Sequence, residues 1–186
     1  MILLKQLLQE LDMRNMQPYA TQFVWQDRWN DGSSWMAVVA AEGTTIQFKI
    51  LSEGYSGTAW NFGFWMPVVH ANGATYNRDY TTSAARSTTN TTLSYLRILS
   101  TCLEAIRDFT DTHNVERMDI SGADSDYQKG QQKTRIYAEL FKANAHMFPD
   151  FKVTQPDSQK LVLQRIQRAD ATGVPANMKT GYHDQA

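Results

Sequence analysis

Two alternating segments, Ser34–Ala41 and Thr44–Ser52, are separated by nothing but the dipeptide Glu42-Gly43. Alternation of apolar with other residues, and enrichment in Val, Ile and aromatic side chains, is typical of half-buried strands. A two-residue connection joins adjacent antiparallel strands, so we expect a hairpin whose alternation decides which side chains are buried. The expected buried face carries Ile46, Phe48 and Ile50, and the opposite face carries Met36, Val38 and Ala40.

Two further segments, Tyr19–Gln26 and Thr58–Val68, have the same strand-like composition. Because short connections join all four segments in sequence, they predict an antiparallel meander. The alternation is lost over residues 70–92, where Ser and Thr are abundant. That composition is typical of a loop with candidate helix caps.

Apolar residues recur at helical spacing in three segments, which are Met1–Met13, Leu93–Asp111 and Gln131–Met147. Three later segments read as strands, namely Val115–Ser121, Phe151–Thr154 and Lys160–Gln167. The sequence therefore predicts an α+β fold, a mainly antiparallel twisted sheet with two main helices and a short N-terminal helix. We expect one domain over residues 1–168 and an extended or mobile C-terminal tail over Ala169–Ala186.

The charge balance excludes a general nucleic-acid footprint. The 186 residues include 18 Lys and Arg against 19 Asp and Glu, which gives a formal net charge of −1. We found no apolar run long enough to span a membrane and no signal peptide. The expectation is a soluble cytoplasmic protein.

The sequence does not predict a metal-binding site or a catalytic cysteine. The four histidines lack a second ligand at helical spacing; they are His70, His113, His146 and His183. The single cysteine, Cys102, falls in an apolar helix, so we expect a buried and inert thiol. No metal ligand set and none of the common nucleotide-binding motifs is predicted.

Aromatic residues are dense in the predicted sheet, and such platforms can stack single-stranded bases. Only Arg28 and Lys49 supply positive charge there, so core packing with an apolar contact surface is the preferred interpretation. We expect a homo-oligomer or a complex with another protein, and neither a membrane nor a nucleic acid as partner. The candidate contact residues are Leu4, Leu8, Trp60, Trp65, Met178 and Tyr182.

A cluster of cations marks the segment Gly122–Phe141, where a loop enters a helix. Free N–H groups and the helix dipole favour an anion at such a place. An ordinary solvated helix start is the alternative interpretation. The candidate anion-binding or cofactor-binding residues are Lys129, Lys133 and Arg135, joined by Arg86 and Asn90 of the preceding loop.

The order of these elements resembles the layout of the GNAT acetyltransferases over roughly residues 18–167. The resemblance is sharpest over Leu93–Phe141, where L-S-T-C-L-E-A-I-R-D-F-T-D-T-H-N-V-E-R-M-D-I-S looks like the family's central helix and fifth strand. K-T-R-I-Y-A-E-L-F looks like the following helix. The resemblance implies acetyl-CoA as cofactor and Tyr137 as the general acid toward the leaving thiolate.

The family's pyrophosphate loop carries glycines just before the central helix, whereas Ser87–Thr92 contains none. Glycines matter there because the backbone must approach the pyrophosphate closely. The leading hypothesis is therefore a non-catalytic binding or assembly protein without a cofactor. A faint likeness to bacteriophage proteins suggests a phage-encoded protein of the host cytoplasm or virion. The alternatives are an acyl-CoA-dependent N-acetyltransferase with a divergent loop, and a small-anion or nucleotide binder.

Overall fold

The structure is a computed structural model, and it describes residues 17–41, 44–53, 57–69, 75–79, 92–121 and 127–166. The predicted helix Met1–Met13 and the predicted tail Ala169–Ala186 lie outside these residues.

One sheet contains the eight strands of the described residues. They are β1 (Gln26–Asp27), β2 (Ser34–Ala41), β3 (Thr44–Ser52), β4 (Ala59–Val69), β5 (Thr75–Asp79), β6 (Arg117–Ser121), β7 (Phe151–Asp157) and β8 (Lys160–Arg165). Their order across the sheet is β1-β2-β3-β4-β6-β8-β7, and β5 pairs with β4 off this path. The pairing of β4 with β6 is parallel, and all other pairings are antiparallel.

The predicted β2–β3 hairpin is confirmed. Ala41 pairs with Thr44 and Trp35 with Ile50 in an antiparallel register, although the dipeptide between the strands is not described. The three residues expected on the buried face have no exposed surface; they are Ile46, Phe48 and Ile50. Val38, expected on the opposite face, is 53% exposed.

Two α-helices pack on the buried face, and they are α1 (Thr92–Thr112) and α2 (Tyr127–Ala143). A 3-10 helix, Ala145–Met147, follows α2. Leu99 of α1 and Leu140 of α2 line one small cavity together with Phe62 of β4, so both helices face the same side of the sheet. We call the opposite side of the sheet the second face.

The predicted fold class, a GNAT-like layout with two main helices and a short N-terminal helix, is wrong. The described chain forms a mixed sheet that is richer in strand than in helix. The parallel pairing arises because α1 carries the chain from the β4–β5 hairpin back to β6 over one face, and such a crossover returns a strand in the same direction.

Strand β5 lies in the segment that was expected to be a loop. It pairs with β4 from Trp65 to Val69, whereas β6 pairs with β4 only from Ala59 to Phe62. The two strands therefore share one side of β4, with β4 residues 63–64 between them. The T-Y-N-R-D segment holds one large apolar residue, so alternation could not reveal it as a strand.

Residues 17–25 form an extended strap along α1, and not the predicted strand Tyr19–Gln26. The backbone N–H of Tyr19 donates to Thr101 Oγ1 at 2.9 Å, and Trp25 Nε1 donates to Asp108 Oδ2 at 2.8 Å. The guanidinium of Arg97 lies 4.0 Å from the centre of the Tyr19 ring. These partners belong to a helix, so the strap joins the sheet only where β1 begins.

Phe109 of α1 is fully buried at the centre of an aromatic cluster. Its ring centroid lies 5.1 Å from that of Trp25, 5.3 Å from Trp60 and 3.9 Å from His113. The cluster joins the strap, α1 and β4 in one packed unit. Burial lowers the pKa of His113, which stacks on this ring, below its usual value.

We expect Phe109→Ala to lower the free energy of unfolding by roughly 3–5 kcal/mol, because it leaves a cavity where strap, helix and sheet meet. Urea titration followed by tryptophan fluorescence measures the loss. Val24→Ala is the matched control, since Val24 is 79% exposed, and it should change stability by no more than about 0.5 kcal/mol. A loss below about 1 kcal/mol for Phe109→Ala would contradict the role of this cluster.

Candidate functional site

Tyr137 has the surroundings of a core residue. Its side chain belongs to α2, is 6% exposed, and lines a cavity of about 20 Å³ together with Cys102 and Ile106. That volume is comparable with the space needed for one water molecule. In the described chain these are the surroundings of a core side chain, and the role of general acid that the resemblance implies for Tyr137 stays a prediction.

Cys102 is buried in α1, as expected. Burial raises the pKa of its thiol far above the usual value, because the thiolate would lose its hydration. The expected burial of Cys102 is therefore confirmed, and a buried thiol with a raised pKa favours the protonated form at neutral pH.

The proposed anion cluster stays a prediction, because Arg135 is its one member whose side chain the structure describes. Helix α2 begins at Tyr127, so Lys129 and Lys133 belong to the helix itself and not to a loop before it. Arg135 is exposed and follows Lys133 by two residues, a spacing that places side chains on different sides of a helix. The side chains of Lys129 and Lys133 are not described, and Arg86 and Asn90 lie outside the described residues.

The candidate contact residue Trp60 is part of the core. It is 4% exposed and packs on Phe109, so it cannot meet a partner while the domain is folded. Trp65 belongs to β4, but its side chain is not described. The other four candidates lie outside the described residues; they are Leu4, Leu8, Met178 and Tyr182.

A buried carboxylate on the second face escaped the sequence analysis. Asp119 of β6 is 1% exposed and accepts hydrogen bonds from Arg117 Nε at 2.9 Å and Arg117 Nη2 at 3.0 Å. The ammonium of Lys160 on β8 pairs with the same carboxylate. Burial alone would raise the pKa of Asp119, but the hydrogen bonds from both cations outweigh it and hold the pKa below its usual value. This ion pair links β6 to β8.

Asp119→Asn should lower the free energy of unfolding at pH 7 by roughly 1–3 kcal/mol, less than for a fully buried pair because both cations are partly exposed. The depressed pKa stabilises the fold above the unfolded-state pKa of about 3.9, and this contribution is lost as pH falls through the folded-state value. The difference between the two proteins should therefore shrink below about pH 4. Urea titrations from pH 7 to pH 2.5 measure it.

The exposed carboxylate of Asp111 provides a control, and Asp111→Asn should change stability by no more than about 0.5 kcal/mol at pH 7. If the difference between wild type and Asp119→Asn grows on acidification, the assignment of the charged pair is contradicted.

Each residue of β2 directs its backbone N–H and C=O groups to one side of the strand, either toward β3 or away from it. Ser33 accepts through its carbonyl from Ser52 N–H at 2.8 Å, on the β3 side, whereas Ser34 accepts from Arg28 N–H at 2.8 Å, on the β1 side. In an antiparallel strand these directions alternate, so odd-numbered residues of β2 face β3 and even-numbered residues face outward. The outward groups of Val38 and Ala40 therefore point away from β3.

Strand β1 covers little of this outward side. It pairs only through Gln26 with Met36 and Asp27 with Trp35, and no other described strand pairs with β2 there. We call residues Ala37–Ala41 the free edge of β2. Within the described part of the chain, it presents two N–H donors and two carbonyl acceptors without a partner, from Val38 and Ala40, both exposed.

The free edge lacks the usual protection of an edge strand. Natural proteins block such edges with charged residues, proline or a bulge, whereas A-V-V-A-A contains none of these, and its pairing with β3 is regular. Val38 adds an apolar side chain that is 53% exposed. The edge can accept one more strand through main-chain hydrogen bonds.

Backbone N–H groups of the loop between β1 and β2 donate hydrogen bonds to the carboxylate of Asp27. Asp27 accepts from Trp29 N–H at 3.1 Å and from Gly32 N–H at 2.6 Å, while Asn30 has a φ of 56°. The ring of Trp29 is nevertheless 60% exposed. This loop fixes the short β1–β2 pairing that limits the free edge on one side.

No described helix is long and apolar enough to cross a membrane. The described residues also contain no group of three or more side chains suited to hold a metal ion. Comparisons of the chain with protein-family models, with curated proteins and with solved structures gave no match.

Proposed function

We propose that this protein is a non-catalytic binding domain, and that it takes up an extended segment of a partner polypeptide at the free edge of β2. The observation that carries the proposal is the pair of exposed residues Val38 and Ala40, whose outward backbone groups pair with no strand of the described residues. A strand laid antiparallel against them would form hydrogen bonds with all four groups.

The length and composition of the free edge restrict the kind of segment that can bind there. Gln26 of β1 closes it beside Met36, and β2 ends at Ala41, which leaves five residues for pairing. No charged side chain is available within these five residues to attract an acidic or basic ligand. The matching partner is a short, uncharged extended segment with a β-branched or aromatic residue beside Val38.

A second copy of the chain fits this edge less well. Two β2 strands paired about Val39 would satisfy the outward groups, since Val38 would face Ala40 of the other copy. Ala41 of each copy would then lie opposite Ala37, directly beside the Met36 position that Gln26 already occupies, so the end of each β2 strand would meet β1 of the other copy. We therefore favour a segment of a different polypeptide.

Val38→Pro tests the proposal, because it removes an outward N–H while leaving the hydrogen bonds to β3 intact, and proline is tolerated on edge strands in this orientation. The probe is a capped, fluorescent peptide with the sequence of β3, the natural antiparallel partner of β2, in which Lys49→Gln makes the peptide uncharged, T-T-I-Q-F-Q-I-L-S. We expect the substitution to weaken peptide binding about fivefold or more, since one hydrogen bond contributes about 1 kcal/mol. Fluorescence anisotropy measures the Kd.

Val38→Thr is the matched control, because it keeps the β-branched shape and the N–H, and it should bind within about twofold of the wild type. Urea titration verifies that both variants are folded. Failure of the wild type to bind the peptide, or equal binding by Val38→Pro, would contradict the proposal.

A further inference from the structure

A second, independent feature lies at the other end of the sheet, where β7 is the last strand in the order. Between α2, the 3-10 helix and β7 is a cavity of about 350 Å³. Ligand pockets of proteins range from about 300 to 1,000 Å³, so this space has the size of a small-molecule site. We call it the α2–β7 pocket.

The deep part of the α2–β7 pocket is apolar and preformed. Phe141, Phe148 and Leu161 are each no more than 3% exposed, and the two phenylalanine rings lie 5.1 Å apart. A third ring, Phe151, also lines the pocket and packs 4.5 Å from the guanidinium of Arg165. These walls are fixed by the core, so a ligand would not need to order them.

The mouth of the pocket is polar and cationic. Lys142 on α2 and Gln155 on β7 are exposed and line the opening, and Thr154 adds a hydroxyl group. Among the residues that the structure describes, none that lines the pocket is acidic. An ammonium group beside an apolar cavity matches a ligand that has an anionic head and an apolar body.

We propose that the α2–β7 pocket binds a medium-chain carboxylate, with its alkyl chain among the phenylalanine rings and its carboxylate at Lys142. The site does not depend on the free edge of β2, which lies at the opposite end of the sheet. Hydrophobic burial supplies the affinity, and the single lysine selects the charge of the head group.

Isothermal titration of the full chain with decanoate, decanol and decyltrimethylammonium, all below their aggregation limits, tests the site. We expect one decanoate per chain, bound at least about tenfold more tightly than decanol, because a hydrogen bond to a charged group contributes about 1.5 kcal/mol or more. Octanoate should bind roughly tenfold more weakly than decanoate, since each buried methylene contributes about 0.8 kcal/mol. The cationic amphiphile should bind most weakly.

Three variants locate the binding. Lys142→Gln should remove the preference for decanoate over decanol, whereas Lys142→Arg should keep it. Ala145→Trp places a large ring at an exposed position of the pocket wall and should abolish binding of both ligands. Lys152→Gln is the matched control, because Lys152 is exposed on β7 but does not line the pocket, and its affinities should equal those of the wild type.

Absence of one-to-one decanoate binding would overturn the proposal. So would an unchanged preference in Lys142→Gln, or unchanged affinity in Ala145→Trp. These results leave the binding of the β3 peptide unaffected, so failure of this site is distinguishable from failure of the proposed function.

Discussion

The strap is tied to α1 by two hydrogen bonds, and the shape of the sheet edge depends on them. Trp25 donates to Asp108 and Tyr19 donates to Thr101, seven residues earlier on the same helix. The strap would otherwise continue from β1 along β2, since Trp25 directly precedes the Gln26–Met36 pair. With Tyr19 N–H and Trp25 Nε1 bonded to the helix, the chain pairs with β2 through only two residues.

The course of the strap stabilises the core and also leaves one side of β2 unpaired. The strap covers α1 and adds Trp25 to the aromatic cluster around Phe109, and such apolar burial stabilises the domain. The same departure leaves the outward backbone groups of Val38 and Ala40 without a pairing strand among the described residues. An uncharged edge is a liability in a monomer and a binding site when a partner strand fills it. The stability of the core and the availability of the edge thus both depend on the course of the strap.

The sequence predicted correctly those elements that are determined by residues close together in the chain. The hairpin of β2 and β3 was correct because alternation and a two-residue connection define both register and burial. Elements whose cause lies far along the chain were not predictable. The strap has the alternation of a strand, but its partners are some 80 residues away in α1. Strand β5 has too few apolar residues to show any period.

The candidate functional residues were likewise predictable only where neighbouring residues determine their surroundings. Burial of Cys102 was predictable from the apolar helix around it, whereas the free edge depends on where the strap goes. Trp60 was expected to be a contact residue because the predicted sheet is rich in aromatic residues, but the side chain packs in the core beside Phe109. The pairing of Asp119 with Lys160 requires the β6–β8 register, which local patterns do not contain.

Amide hydrogen exchange along β2, followed by NMR, tests the central claim that the strap leaves this edge open. The N–H groups of Ala37 and Val39 face β3, and those of Val38 and Ala40 face outward. We expect an alternation in the free protein, with slow exchange at Ala37 and Val39 and fast exchange at Val38 and Ala40. Slow exchange at all four positions would mean that another strand already covers the edge, which would contradict an open edge at β2.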